Sequence, residues 1–262
     1  MRRVRLDTLL SERGMFPSRS RAAASVIAGD VLLLPGRRRA DKPGQLVPDD
    51  IEVELRDAPQ YASRGGTKLA NALDALPIDV AGRQALDVGA STGGFTDCLL
   101  QRGAAHVVAL DVAYGELDWR LRNDPRVTVI ERRNARSLRP DELPYAPDLI
   151  VIDVSFISLA KVLPAVLACA AGHFDCLALV KPQFEVGREG VGKGGVVRDP
   201  AVRRGALLNV ARAASELGVA VAGFASSGLP GPKGNLETFV WLSDGAREAV
   251  SDFERAVAEV EP

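Results

Sequence analysis

Cysteine is scarce. Three in 262 residues (Cys98, Cys169, Cys176), odd in number and not at metal-ligand spacing, exclude a disulfide framework and suit a reduced, cytoplasmic setting. Two histidines, His106 and His173, are too few for a histidine-rich metal centre, and no metal is expected. No apolar run is long enough to span a bilayer, since the longest, at 162–171, is interrupted by Pro164. The opening MRRVRLDTLLSERG carries charge throughout and lacks the apolar core of a signal peptide, so no membrane association is expected. Excess charge of one sign is missing too: the net charge is −1.

The charge is unevenly spread. Residues 1–39 hold nine arginines against three acids, whereas 244–262 hold six acids against two arginines. A basic end on a near-neutral chain points to a polyanion-binding module. Helices are predicted over 5–13 and 18–28, with Ser18 as an N-cap, followed by strands in VLLLPG and DDIEVEL. The polar RDAPQ stretch (56–60) marks a boundary, giving domains over 1–56 and 63–262 with 57–62 as linker.

From Lys68 onward apolar strands alternate with helices: 84–89, 106–112, 126–131, 148–154, 176–181 and 219–225. The last strand, ETFVWL (237–242), follows a Gly/Pro-rich turn too short for a helical crossover. This predicts an α/β fold, a Rossmann-like, mostly parallel sheet with one antiparallel strand at its end. Ligands in such sheets bind beyond the carboxyl ends of the strands.

The first strand ends in DVGASTGGF (87–95). Gly89-Ala90-Ser91-Thr92-Gly93 matches the spacing of a hydrolase nucleophile elbow, but no histidine follows His173 to complete a triad. Gly187 to Lys193 has the spacing of a phosphate-cradling loop, but Gly194 stands where a magnesium-binding hydroxyl belongs; the glycines suggest a mobile flap. A turn for a nucleotide-type cofactor fits better. Small residues allow close backbone approach, and the following helix offers free N–H groups. Asp111 ends the next strand and suits two ribose hydroxyls, while Asp87 suits an amino group. A ligand with both ends is S-adenosylmethionine.

Asp153, Lys181 and Glu237 stand at strand ends, and Lys68 lies on the helix before the sheet. An antiparallel last strand would bring Glu237 to the rim where the other strands end.

These motifs carry a resemblance. YASRGGTKL, LDVGASTGGFTDCLLQRGAAHVVALDVAYGELDW, RNDPRV, DVSFISL, LVKPQFEVG and GPKGNLETFVWL resemble the TlyA family of ribosomal RNA 2′-O-methyltransferases, relatives of the FtsJ/RrmJ enzymes. RLDTLLSERGMFPSRSRAAASVIAGDVLL resembles a small RNA-binding domain of the S-four type. The resemblance implies a methyltransferase acting on cytidine 2′-hydroxyls of 16S rRNA, 23S rRNA or both, in ribosomal subunits. It implies a tetrad of Lys68, Asp153, Lys181 and Glu237, with Lys181 meeting the hydroxyl as base or as charged orienting group. It implies S-adenosylmethionine contacts at Asp87, Gly89, Ala90, Ser91, Thr92, Gly93, Gly94, Phe95, Asp111, Val112, Asn134 and Ala135. Many class I methyltransferases carry an acid where this chain has Asn134. Phosphate contacts are expected from Arg2, Arg3, Arg5, Arg19, Arg21, Arg37, Arg38 and Arg39; Phe156 and Phe184 are candidates either to stack on the target base or to pack in the core. Rival readings are a non-catalytic assembly factor and a membrane-lytic protein.

Overall fold

The computed structural model describes residues 2–55 and 60–261. The chain divides into two compact units, Met1–Gln60 and Tyr61–Pro262. Of the linker expected at 57–62, residues 57–59 lie outside the described residues, as do 1, 56 and 262.

The first unit runs β1 (Arg3–Arg5), α1 (Leu6–Glu12), α2 (Arg19–Ala28), β2 (Val31–Leu33), β3 (Arg38–Arg39), β4 (Leu46–Pro48) and β5 (Val53–Leu55). The Arg21 N–H donates to Ser18 Oγ at 3.3 Å, so Ser18 caps α2 as its sequence position predicts. β1 pairs with β4, and β2 lies between β3 and β5, all antiparallel. Leu6, Leu10, Val26 and Val31 are buried at its centre. Asp7 is buried too. The Arg5 guanidinium hydrogen-bonded to it, with Arg19 3.3 Å away, holds its carboxyl down to about 2.

The second unit runs α3 (Arg64–Ala75), β6 (Gln84–Val88), α4 (Gly94–Gln101), β7 (His106–Leu110), α5 (Trp119–Arg122), β8 (Val127–Ile130), β9 (Leu149–Ile152), α6 (Leu163–Leu167), β10 (Asp175–Val180), α7 (Pro182–Glu185), α8 (Pro200–Glu216), β11 (Ala220–Ser226), β12 (Thr238–Ser243) and α9 (Phe253–Val260). Among the described residues its sheet has seven strands, in the order β11-β12-β10-β9-β6-β7-β8. The pairs among β10, β9, β6, β7 and β8 are parallel, while β12 is antiparallel to both β10 and β11. This is the Rossmann-like, mostly parallel sheet the sequence predicts, except that the one antiparallel strand, β12, lies between β10 and β11 and not at the edge.

Strands β9, β10 and β12 are buried at every position, which is why they read as nearly unbroken apolar runs. One face of the sheet packs on Leu69 and Leu73 of α3 and Leu99 of α4. The other packs on Leu163 of α6, Leu207 and Val210 of α8, and Val257 of α9. α8 begins where Asp199 Oδ1 accepts the Ala201 N–H at 2.8 Å, with Pro200 in its first turn.

The chain passes from β6 outward through β7 and β8, then returns to β9 on the far side of β6. This is the switch point, where the carboxyl ends of β6 and β9 lead apart and leave a crevice. Asp153 directly follows β9, Lys181 directly follows β10, and Glu237 directly precedes the antiparallel β12. All three therefore stand on one rim.

Candidate active site

The turn after β6 is shaped by close approach. Gly89 has φ +87, and a Cβ there would lie 2.5 Å from the Asp153 carbonyl oxygen, so only glycine lets the β6 and β9 turns touch. A Cβ on Gly94 would lie 2.9 Å from the Gly66 nitrogen, so the N-terminal ends of α3 and α4 also abut here. The turn is tied down by Gly89 N–H and Ala90 N–H, which donate to Leu110 O at 2.8 and 3.1 Å. It continues into α4, whose Phe95 is buried against Phe239, ring centroids 5.8 Å apart.

A cavity of about 600 Å³ opens beside this turn, and Lys68, Asp153, Lys181 and Glu237 all line it. They form two pairs. Lys181 Nζ lies 2.6 Å from Asp153 Oδ1 and donates a hydrogen bond to Ser155 Oγ at 2.8 Å. Lys68 on α3 and Glu237 form a buried ion pair, with side chains 9% and 1% exposed. Burying two charges costs several kcal/mol per ion before their attraction offsets it, so such a pair is a poor way to stabilise a fold. The Lys181–Asp153 pair in the same cavity is half-buried, with side chains 12% and 23% exposed.

The turn residues Gly89, Ala90, Ser91, Thr92, Gly94 and Phe95 line the same cavity, as do Phe156 and Phe184, whose rings lie 5.2 Å apart. The acids at the strand ends are placed differently. Asp111 accepts the Ser91 N–H and the Ala113 N–H, both at 2.7 Å, and lines a small adjoining pocket with Glu116 and Glu131. Asp87 is wholly buried below the turn: Oδ2 accepts the Thr96 hydroxyl at 2.6 Å, and Oδ1 has no hydrogen-bond partner. Burial, reinforced by the nearby charges of Asp153 and Asp111, pushes its carboxyl up to about 7. Val112 is exposed, Asn134 caps the short turn Ala135–Ser137 by accepting the Arg136 N–H at 3.0 Å, and Ala135 packs on the core. None of these three lines the large cavity.

Several side chains were not singled out in the sequence. Ser155 and Glu116 reach the site, Glu185 grips the loop after Asp153, and Asn235 ties down the glycine-rich flap. Asn235 Nδ2 donates to Gly195 O, and the Val197 N–H donates to Asn235 Oδ1, both at 2.9 Å. The flap expected to move freely is thus pinned at its C-terminal end.

A family model described as FtsJ-like methyltransferase matches residues 61–244. A Mycobacterium tuberculosis protein named 16S/23S rRNA (cytidine-2′-O)-methyltransferase TlyA is 52% identical over 254 residues, covering 95% of this chain and 93% of that one. The chain belongs to the TlyA family of FtsJ-like methyltransferases. A solved structure from Streptococcus thermophilus, described as a hemolysin candidate, aligns with TM-score 0.74 at 38% identity over 99% of this chain and 96% of that one. A Listeria monocytogenes structure described as an S-adenosylmethionine-dependent methyltransferase aligns with TM-score 0.51 at 13% identity, over 69% and 99% of the two chains. That last likeness concerns the fold alone.

The cofactor that FtsJ-like methyltransferases imply can be tested against these residues. Gly89, Ala90, Ser91, Thr92, Gly94 and Phe95 line the cavity, Asp111 beside it is held by two N–H donors, and Asp87 beneath the turn keeps one buried oxygen without a donor. A ligand carrying an ammonium group at one end and ribose hydroxyls at the other meets both needs. The residues fit.

Proposed function

We propose that this methyltransferase transfers the methyl group of S-adenosylmethionine to the ribose 2′-hydroxyl of cytidine in the ribosomal RNA of the small subunit, the large subunit or both. The observation that carries the reading is the convergence of two lysine–carboxylate pairs in one cavity beside the glycine turn. The name of the 52% identical Mycobacterium tuberculosis relative supports the same substrate.

When bound, the cofactor supplies an electrophilic methyl on sulfonium sulfur, so the chain's own task is to present the hydroxyl and disperse charge. Alignment of this kind is worth roughly 7–11 kcal/mol in favourable cases. Lys181 faces the Asp153 carboxylate on one side and donates to Ser155 on the other. That setting places Nζ to orient O2′ and to stabilise negative charge on it as the hydroxyl proton passes to water. Asp153 and Ser155 fix Lys181, and the Lys68–Glu237 pair braces the opposite wall. Asp87, the 89–95 turn and Asp111 would hold the cofactor, with Asn134 and Ala135 toward its base. Phe156, 91% exposed, is suited to stack on an extruded base.

The first unit is proposed as the RNA-binding domain. Arg2, Arg21 and Arg38 are exposed and in no ion pair among the described residues, which leaves them for phosphates. Arg5 and Arg19 are engaged by Asp7, Arg37 by Glu54, while Arg3 and Arg39 donate to backbone carbonyls. The substrate goes with a cytoplasmic location. A membrane-lytic reading has less support: among the described residues no helix is long and apolar enough to cross a membrane.

The test is incubation with labelled cofactor and 30S or 50S subunits lacking the modification, followed by nucleoside analysis. Label in 2′-O-methylcytidine is expected. Label on a base, or on protein alone, would contradict the proposal.

A further inference from the structure

Lys181 and Asp153 belong to different strands, and something must hold their two connections together. α7 starts directly after Lys181, and the loop 153–158 starts directly after β9. Glu185, the last residue of α7, bridges them. Its Oε2 accepts the Ser158 hydroxyl at 2.6 Å and its Oε1 accepts the Leu159 N–H at 2.8 Å. It is in no ion pair among the described residues, and burial raises its carboxyl above the usual range.

The gripped loop is strained. Phe156 has φ 64, a left-handed conformation that is unusual for an aromatic residue, yet the residue is 91% exposed. Such strain persists only where the surroundings over-determine it. An exposed ring contributes little burial toward that. Val154 and Ile157 pack on the core, and Glu185 fastens the loop's C-terminal end at Ser158 and Leu159.

We propose that Glu185 is a positioning residue for methyl transfer: its two hydrogen bonds clamp the 153–158 loop to α7, keeping Asp153 and Ser155 on Lys181 and Phe156 beside Phe184. This role rests on the reading of Lys181 and Asp153 as the reacting centre. The clamp touches neither cofactor nor substrate; it sets the distance between groups that do. A displacement of about 1 Å at a reacting centre can cost on the order of 10²-fold in rate.

The experiment compares Glu185→Ala, Glu185→Gln and Ser158→Ala with wild type in the full chain. Amide hydrogen exchange at 154–159 reads the clamp without reference to activity; kcat and cofactor affinity read its consequence. Expected in Glu185→Ala are faster exchange confined to 154–159, kcat lower by about 10²-fold, and cofactor affinity within about twofold of wild type. Glu185→Gln, which keeps an acceptor oxygen, should recover part of kcat, and Ser158→Ala, which removes one bond, should fall between. Unchanged exchange in Glu185→Ala, or a loosened loop with wild-type kcat, overturns the proposal. If Glu185→Ala does not fold, the two milder variants decide by the same criteria. A wild type that methylates no ribosomal substrate while the variant loop loosens would overturn the functional reading, and this role with it, but not the clamp.

Discussion

Replacing Asp87 by asparagine should make the protein more stable at alkaline pH while weakening its hold on the cofactor. The carboxyl sits wholly buried, and its folded value of about 7 stands against an ordinary value of 3.8. Folded protein therefore binds the proton more tightly than unfolded chain does. Below about pH 4 both states are protonated and the group is neutral with respect to stability. As pH rises from about 4 to about 7 the unfolded chain ionises first, and stability falls. Above about 7 the loss is complete. A separation of about 3 pH units at ~1.36 kcal/mol each gives a loss of about 4 kcal/mol. The amide has the shape to keep the Thr96 hydrogen bond and cannot ionise. Urea unfolding of wild type and Asp87→Asn, taken as a difference so that other titrating groups cancel, should show equal stability near pH 4. At pH 8 the variant should be ahead by a few kcal/mol. Cofactor affinity at pH 8 should move the other way, because the unpartnered oxygen would no longer carry charge. A difference in stability that does not change between pH 4 and 8 would refute the reasoning, as would a variant less stable at pH 8.

Gly89→Ala should lose most of its methyl-transfer rate and roughly 1–2 kcal/mol or more of stability, since a left-handed φ is joined by a collision with the Asp153 carbonyl; kcat and a urea midpoint check both. Glu261→Ala should cost about 3–5 kcal/mol by chemical denaturation, because Arg203, 10% exposed at its side chain, would lose the carboxylate 2.6 Å away. Arg21→Ala with Arg38→Ala should weaken binding to ribosomal RNA and flatten the slope of log K against log salt by between about 1 and 2, with kcat at saturating substrate unchanged.

The strands of the catalytic unit were legible because burial on both faces leaves continuous apolar runs, as in LIVI of β9 and LALV of β10. The antiparallel β12 followed from a connection too short for a crossover, and its direction is what placed Glu237 on the rim with Lys181. α8 was less visible: its apolar stripe of Ala206, Leu207, Val210 and Ala211 is mixed with arginines, one of which, Arg203, is itself buried against Glu261. Asp153 and Lys181 stood out as ionic groups ending apolar strands and Glu237 as one opening the last strand, while Lys68 lay on the preceding helix. Ser155 and Glu185 did not, because their roles depend on a contact between two loops far apart in sequence. Nor did the depth of Asp87: an acid at the end of a strand reads the same whether it is exposed or wholly buried. The arginines taken for phosphate contacts could not be sorted without knowing that Asp7 claims two of them.

Lys181 acts on the ribose hydroxyl in the proposed reaction and does not merely hold the cofactor site together. The direct measurement is single-turnover methyl transfer to unmodified 30S and 50S subunits by wild type and Lys181→Met, with cofactor affinity determined for both. Wild type should label ribose 2′-oxygens, and the variant should bind the cofactor as wild type does but transfer methyl at least about 10²-fold more slowly. Transfer at the wild-type rate by Lys181→Met would contradict that role.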